Sequence, residues 1–137
     1  MGPRLVSWFS KKQSSIALST EEAKYVAAAS CCTQIIWMMK TLQDIQIKCS
    51  LPISIMCDHT SAICISKIFV MHSKTKHIPI KYHFLREQVL EKKVKLEYVP
   101  SKEKFVNIFT KPLPREEFEY LRQKLELSLP HHVVNLI

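Results

Sequence analysis

Glycine occurs once in these 137 residues, at position 2, where about ten would be usual for a chain of this length. Tight two-residue hairpins need a positive φ that glycine supplies with least strain, so a fold built from hairpins is disfavoured. Helix-to-strand crossovers are then the expected connections, and they indicate an α/β chain instead of a sandwich. The length suits one domain with one core. A chain that is 47% hydrophobic and 23% charged lies outside the range of disordered sequences. The longest apolar runs, such as Ile35 to Met39, fall far short of the roughly 18 residues of a membrane span.

The first residues, Met1-Gly2-Pro3-Arg4, lack the apolar stretch of a signal peptide, and Val6 stands where a myristoylation motif requires Ser or Thr. An intracellular location, cytoplasmic or nuclear, is the expectation. Cys31, Cys32, Cys49, Cys57 and Cys64 are odd in number and contain no Cys-x-x-Cys pair, so reduced and mostly buried thiols are expected in place of disulfides or a zinc site.

Along the chain, Leu5 to Phe9 reads as a short strand. Ser19-x-x-Glu22 has capping-box form, and Tyr25, Ala28, Ala29, Cys32, Ile35, Ile36 and Met39 recur at three- and four-residue spacing; together they predict an amphipathic helix from Thr20 to Asp44. Trp8 and Trp37 are assigned to core faces. Ile53 to Cys57 reads as a buried strand that ends at Asp58 and is followed by a short helix to about Lys67. A basic helix is expected over Ile80 to Val94, a strand over Leu96 to Val99, a helix over Lys102 to Thr110, and a further helix over Arg115 to Leu127 opened by Pro114. The domain is assigned to residues 1–127, with 128–137 as a frayed tail.

The formal net charge is +8, which favours a polyanionic partner, either nucleic acid or an anionic membrane surface. From His72 to Lys95 the cations Lys74, Lys76, Lys81, Arg86, Lys92, Lys93 and Lys95 face Glu87 and Glu91, a local excess of five. More than half of the net charge therefore lies in one segment.

Five blocks carry a family resemblance. They are Ser7-Trp8-Phe9-Ser10-Lys11-Lys12-Gln13, Leu18 through Tyr25, Cys57-Asp58-His59-Thr60-Ser61-Ala62, His72 through Ile78, and Leu96 through Pro114 with its Thr110-Lys111-Pro112-Leu113-Pro114 run. In this order and spacing the chain, from about Ser7 to Leu125, resembles the ribonuclease H segment at the end of the Pol polyprotein of copia-type long-terminal-repeat retrotransposons. The resemblance implies a ribonuclease H-like mixed sheet with flanking helices, and a polyprotein context with reverse transcriptase and integrase. It implies as activity the cleavage of RNA in RNA–DNA hybrids during reverse transcription. The implied cofactor is Mg²⁺, two ions held by four carboxylates.

Carried onto this sequence, the family's first Asp has no counterpart, because no Asp precedes Asp44. The position of the family's Glu is Lys24, the third carboxylate is Asp58, and the fourth is replaced by Asn107. Pro79 stands where the family has Asp after the Lys-His-Ile block. On this reading the sheet is truncated at its N-terminus, without its first two strands. The family's strand order is 3-2-1-4-5, so the Ser7 strand would lack a bridge to the Ile53 strand, and a marginal or mispaired sheet is expected.

Each of these residues also has a plainer reading. Asp58, between strand and helix, is read first as an N-cap, with metal ligation as the weaker alternative. Glu21 lies three residues before Lys24 and is a distant substitute for the lost Glu; Glu22 belongs to its capping box. His59, His72, His77 and His83 are read as surface histidines, with His77 as the candidate nearest to a scissile phosphate. The basic segment, through Lys74, Lys76, His77, Lys81, Arg86, Lys92 and Lys93, is either a solvated face or a phosphate-binding surface. The expectation is a catalytically inactive ribonuclease H remnant with weak affinity for nucleic acid and no tightly bound Mg²⁺. Two alternatives stand beside it. One is a binding module on the basic segment, and the other is residual ribonuclease H activity with carboxylates supplied elsewhere.

Overall fold

The computed structural model describes residues 13, 16–67, 83–127 and 133–135. Its element order is α1 (Thr20–Asp44), β1 (Ile53–Cys57), α2 (Thr60–Lys67), α3 (His83–Leu90), β2 (Val94–Tyr98), a 3₁₀ turn (Ser101–Glu103), α4 (Asn107–Thr110), α5 (Arg115–Leu127) and β3 (Val133–Asn135). The predicted Leu5 to Phe9 strand and the cations Lys74, Lys76 and Lys81, with His77, lie outside the described residues.

α1 begins where its capping signals place it. The Ser19 hydroxyl accepts the Glu22 backbone N–H at 3.1 Å, and the Glu22 carboxylate reaches back to the Leu18 N–H at 2.7 Å. The return bond thus lands one residue upstream of the usual capping-box partner. Ala28, Ala29 and Cys32 are almost fully buried on the inner face of α1. Their small side chains let the helix backbone approach the sheet and its neighbouring helices closely. Trp37 is 64% exposed, which corrects its assignment to the core. Two residues past the buried Ile35, a helix has turned by about 200°, so position 37 points away from the face that carries Ile35 and Met39.

The ends of α1 and α3 show the consequence of the missing glycines. Past α1, Gln46 adopts a positive φ of 61°, with Gln46 N–H donating to Gln43 C=O and Ile47 N–H to Leu42 C=O. Past α3, Lys92 does the same at 56°, with Lys92 N–H bonded to Val89 C=O and Lys93 N–H to Gln88 C=O. These are two Schellman caps built without glycine, and each stops its helix at a left-handed residue. The second cap ends α3 at Leu90 and frees Val94, expected in the helix, to begin β2.

The three strands form one parallel sheet in the order β2-β1-β3. β1 pairs with β2 from Ile53↔Val94 to Cys57↔Tyr98 and with β3 from Ser54↔Val133 to Met56↔Asn135. Residues 133–135, expected in a frayed tail, therefore form a strand that flanks β1 on the side opposite β2. The sheet described is α/β and parallel, with β1 central and paired along both edges. Ile53, Ile55 and Cys57 alternate onto the face that packs with Val94, Leu96, Leu85, Ile63 and α1 in one core. The opposite alternation carries Ser54, Lys95 and Glu97, where Lys95 and Glu97 pair at 2.6 Å.

Cys31, Cys32 and Cys57 are buried, Cys49 is half-buried and Cys64 is exposed; all five thiols are free. Burial pushes the Cys31 thiol far above the usual range, helped by the adjacent Cys32, and pushes Cys32 up to about 12, so both stay protonated and behave as small apolar groups. Among the described residues no helix is long and apolar enough to cross a membrane.

Candidate functional site

Parallel strands present the ends of their carboxyl termini to one edge of a sheet, where α/β folds place their ligand sites. Asp58 follows the last residue of β1, and Ser101 lies just beyond β2. Lys24 projects from the second turn of α1 to the same place. The Asp58 carboxylate is the hub: its Oδ1 lies 3.1 Å from Lys24 Nζ and 2.9 Å from Lys104 Nζ, while Oδ2 accepts the Ser101 hydroxyl at 3.0 Å. The Asn107 side-chain amide donates to the Ser101 carbonyl, so the fourth predicted position also belongs to this cluster through Ser101.

Asp58 does not cap α2 as expected. The residue preceding the helix is His59, whose carbonyl accepts the Ile63 N–H at 3.3 Å, and the Asp58 carboxylate is engaged by the two ammonium groups. Partial burial raises the Asp58 carboxyl, but hydrogen bonds from Lys104 and Lys24, the Lys104 charge and the Ser101 hydroxyl outweigh it and hold the group at about 2. Asp58 is ionised at neutral pH. Lys104 is held below the ordinary lysine range, first by burial, and the Asp58 carboxylate opposes that shift.

The segment that brings Lys104 here is not the continuous helix expected over Lys102 to Thr110. Glu103 N–H bonds to Pro100 C=O, Asn107 N–H to Lys104 C=O, Ile108 N–H to Phe105 C=O and Phe109 N–H to Val106 C=O. Each bond spans three residues, the 3₁₀ pattern. The α-helical turn of α4 starts only at Asn107, whose carbonyl accepts the Lys111 N–H. Lys104 itself is extended at φ −74°, ψ 116°, which breaks the run and turns its side chain inward, 4% exposed. Sequence reasoning missed Lys104 and Ser101. The available signal was spacing: Lys104 stands three residues before Asn107 and three after Ser101, close to a position already singled out.

One carboxylate between two ammonium groups does not fit a divalent cation. Mg²⁺ takes hard oxygen donors, and ammonium groups within 3.1 Å of Asp58 Oδ1 occupy the space and repel the charge. Among the described residues no three His, Cys, Asp or Glu side chains come together as a metal site. The charges of the cluster pair internally instead.

No family model matches the chain, and no solved structure matches it. It is 36% identical over 118 residues, 86% of its length, to the retrovirus-related Pol polyprotein from transposon TNT 1-94 of Nicotiana tabacum. It is 33% identical over 93% of its length to the corresponding polyprotein from transposon RE1 of Arabidopsis thaliana, and 33% identical over 91% to that from transposon RE2 of the same plant. The chain is a relative of the Pol polyproteins of plant transposons. It spans about 9% of the length of each of these Pol relatives.

The remaining described positions singled out in this Pol-related chain fall elsewhere. Glu21 lies one turn before Lys24 on α1 and is partly exposed. Arg86 is turned inward, its guanidinium donating to the Ile65 carbonyl at 3.3 Å, so it ties α3 to α2. Lys93 pairs with Glu91 at 2.6 Å, and Lys92 is exposed at the left-handed cap of α3.

Proposed function

We propose that this chain is a ribonuclease H-like domain of a retrotransposon Pol polyprotein whose hybrid-cleaving centre is replaced by an ion-paired cluster, leaving nucleic-acid binding as its activity. One observation carries the reading: Asp58 Oδ1 sits between Lys24 Nζ and Lys104 Nζ, at 3.1 and 2.9 Å, where the resemblance calls for metal ions and carboxylates. Lys24 stands at the position of one of those carboxylates and Asn107 at another. The Pol relatives, the α/β order and the parallel β1–β2 pair support the assignment. Mg²⁺ is the family's cofactor, and the donor set here does not accommodate it.

The test is a cleavage assay on a labelled RNA–DNA hybrid with excess Mg²⁺, using protein whose fold is verified by circular dichroism. No cleavage is expected. Cleavage that disappears on Asp58→Asn would overturn the proposal. A companion variant, Lys24→Glu with Lys104→Gln and Asn107→Asp, removes both ammonium groups and supplies two carboxylates. Mg²⁺ should raise its melting temperature by mass action while leaving the parent protein unchanged; a rise in the parent would show that the native cluster does hold the ion.

A further inference from the structure

The cluster at the carboxyl ends of β1 and β2 carries two ammonium groups and one carboxylate, a local charge of +1. Its two lysines differ in access. Lys104 is 4% exposed and pairs with the carboxylate from inside, whereas Lys24 is 31% exposed and opens to solvent. An ammonium has three donors, and the ion pair with Asp58 Oδ1 at 3.1 Å leaves Lys24 able to donate to a second acceptor. The same contact holds a long side chain in one place, which lowers the entropy lost when a second acceptor binds. Asp58 in turn keeps its own charge at neutral pH.

We propose that Lys24 is a metal-independent contact for a backbone phosphate of nucleic acid, oriented by Asp58 and placed at the ligand-binding end of the parallel sheet. This rests on the reading of the chain as a nucleic-acid-binding domain. It places a phosphate contact outside residues 72–95, where the Arg86 guanidinium is turned inward to the Ile65 carbonyl, at the cluster that gathers Lys24, Asp58, Ser101 and Lys104.

The test is a fluorescence-anisotropy titration of an RNA–DNA hybrid at several salt concentrations, in EDTA and in Mg²⁺. The parent protein should bind in EDTA, and Mg²⁺ should weaken binding only as a competing counterion does. Lys24→Gln should weaken binding about tenfold at about 50 mM salt and make the slope of log K against log salt shallower by about one, while Lys24→Arg keeps the slope. Lys40→Gln, exposed on the far part of α1, is the control and should change neither. An unchanged slope in Lys24→Gln, with the parent still binding, would overturn this inference and leave the domain reading standing. Binding that requires Mg²⁺ would overturn the metal-independent contact, and absence of binding by the parent would overturn both.

Discussion

Lys104 Nζ lies 2.9 Å from Asp58 Oδ1, and the contact ties the segment after β2 to the end of β1. Because Asp58 is held at about 2 against roughly 3.9 in an unfolded chain, its ionised form contributes to stability. The contribution is fully present above about pH 4 and is lost as pH falls through about 2. Its ceiling is about 3 kcal/mol, reduced by solvent screening and by what burial of Lys104 costs. Urea unfolding followed from pH 5 to pH 2 should show a falling midpoint in the parent protein. In Asp58→Asn the fall over that window should be shallower, and equal falls would show that other carboxylates govern acid stability.

The same pair predicts an asymmetric mutational cycle. Asp58→Ala strands a buried ammonium at Lys104 and should destabilise by about 3 kcal/mol. Lys104→Met leaves Asp58 with Lys24 and Ser101, so it should cost less. The double variant should recover most of the loss from Asp58→Ala, giving a coupling energy of about 1–3 kcal/mol by denaturant melts. Additive single losses would mean that the two residues do not act as a unit.

Much of the scaffold was legible in the sequence where capping and periodicity agree. Ser19 with Glu22 fixed the start of α1, the β-branched run before Asp58 marked β1, and Pro114 opened α5, each with the observed bounds. The site was legible in part: Lys24, Asp58 and Asn107 do converge, yet Lys104 was hidden because its inward turn depends on a 3₁₀ segment that apolar spacing mimics as an α-helix. Trp37 was misplaced because its residue type outweighed its helical phase. β3 was missed because Val133 and Val134 become a strand only when the edge of β1 is there to receive them, a tertiary requirement that no local pattern encodes.

The two left-handed caps give a direct stability prediction. Gln46 and Lys92 hold positive φ values that cost an L-residue roughly 1–2 kcal/mol, against roughly 0.5–1 kcal/mol of extra entropy that glycine loses on folding. Gln46→Gly and Lys92→Gly should therefore each stabilise by about 0.5–1 kcal/mol, read as a higher urea midpoint with an unchanged m-value. A lower midpoint in either would show that its side chain contributes more than its backbone costs.

β3 predicts an exchange pattern that discriminates neighbouring residues. Ile53 N–H bonds to Lys93 C=O, and Cys57 C=O accepts Val99 N–H, so residues 53, 55 and 57 direct their backbone groups to β2. In a parallel ladder the intervening residues face the other neighbour, which gives Ser54 and Met56 to β3. Removing residues 128–137 should speed amide hydrogen exchange at Met56 by an order of magnitude or more while leaving Ile55 protected. It should also expose an unpaired edge of β1 and raise light scattering at high protein concentration. Equal protection of Met56 with and without the segment would show that β3 does not guard this edge in solution.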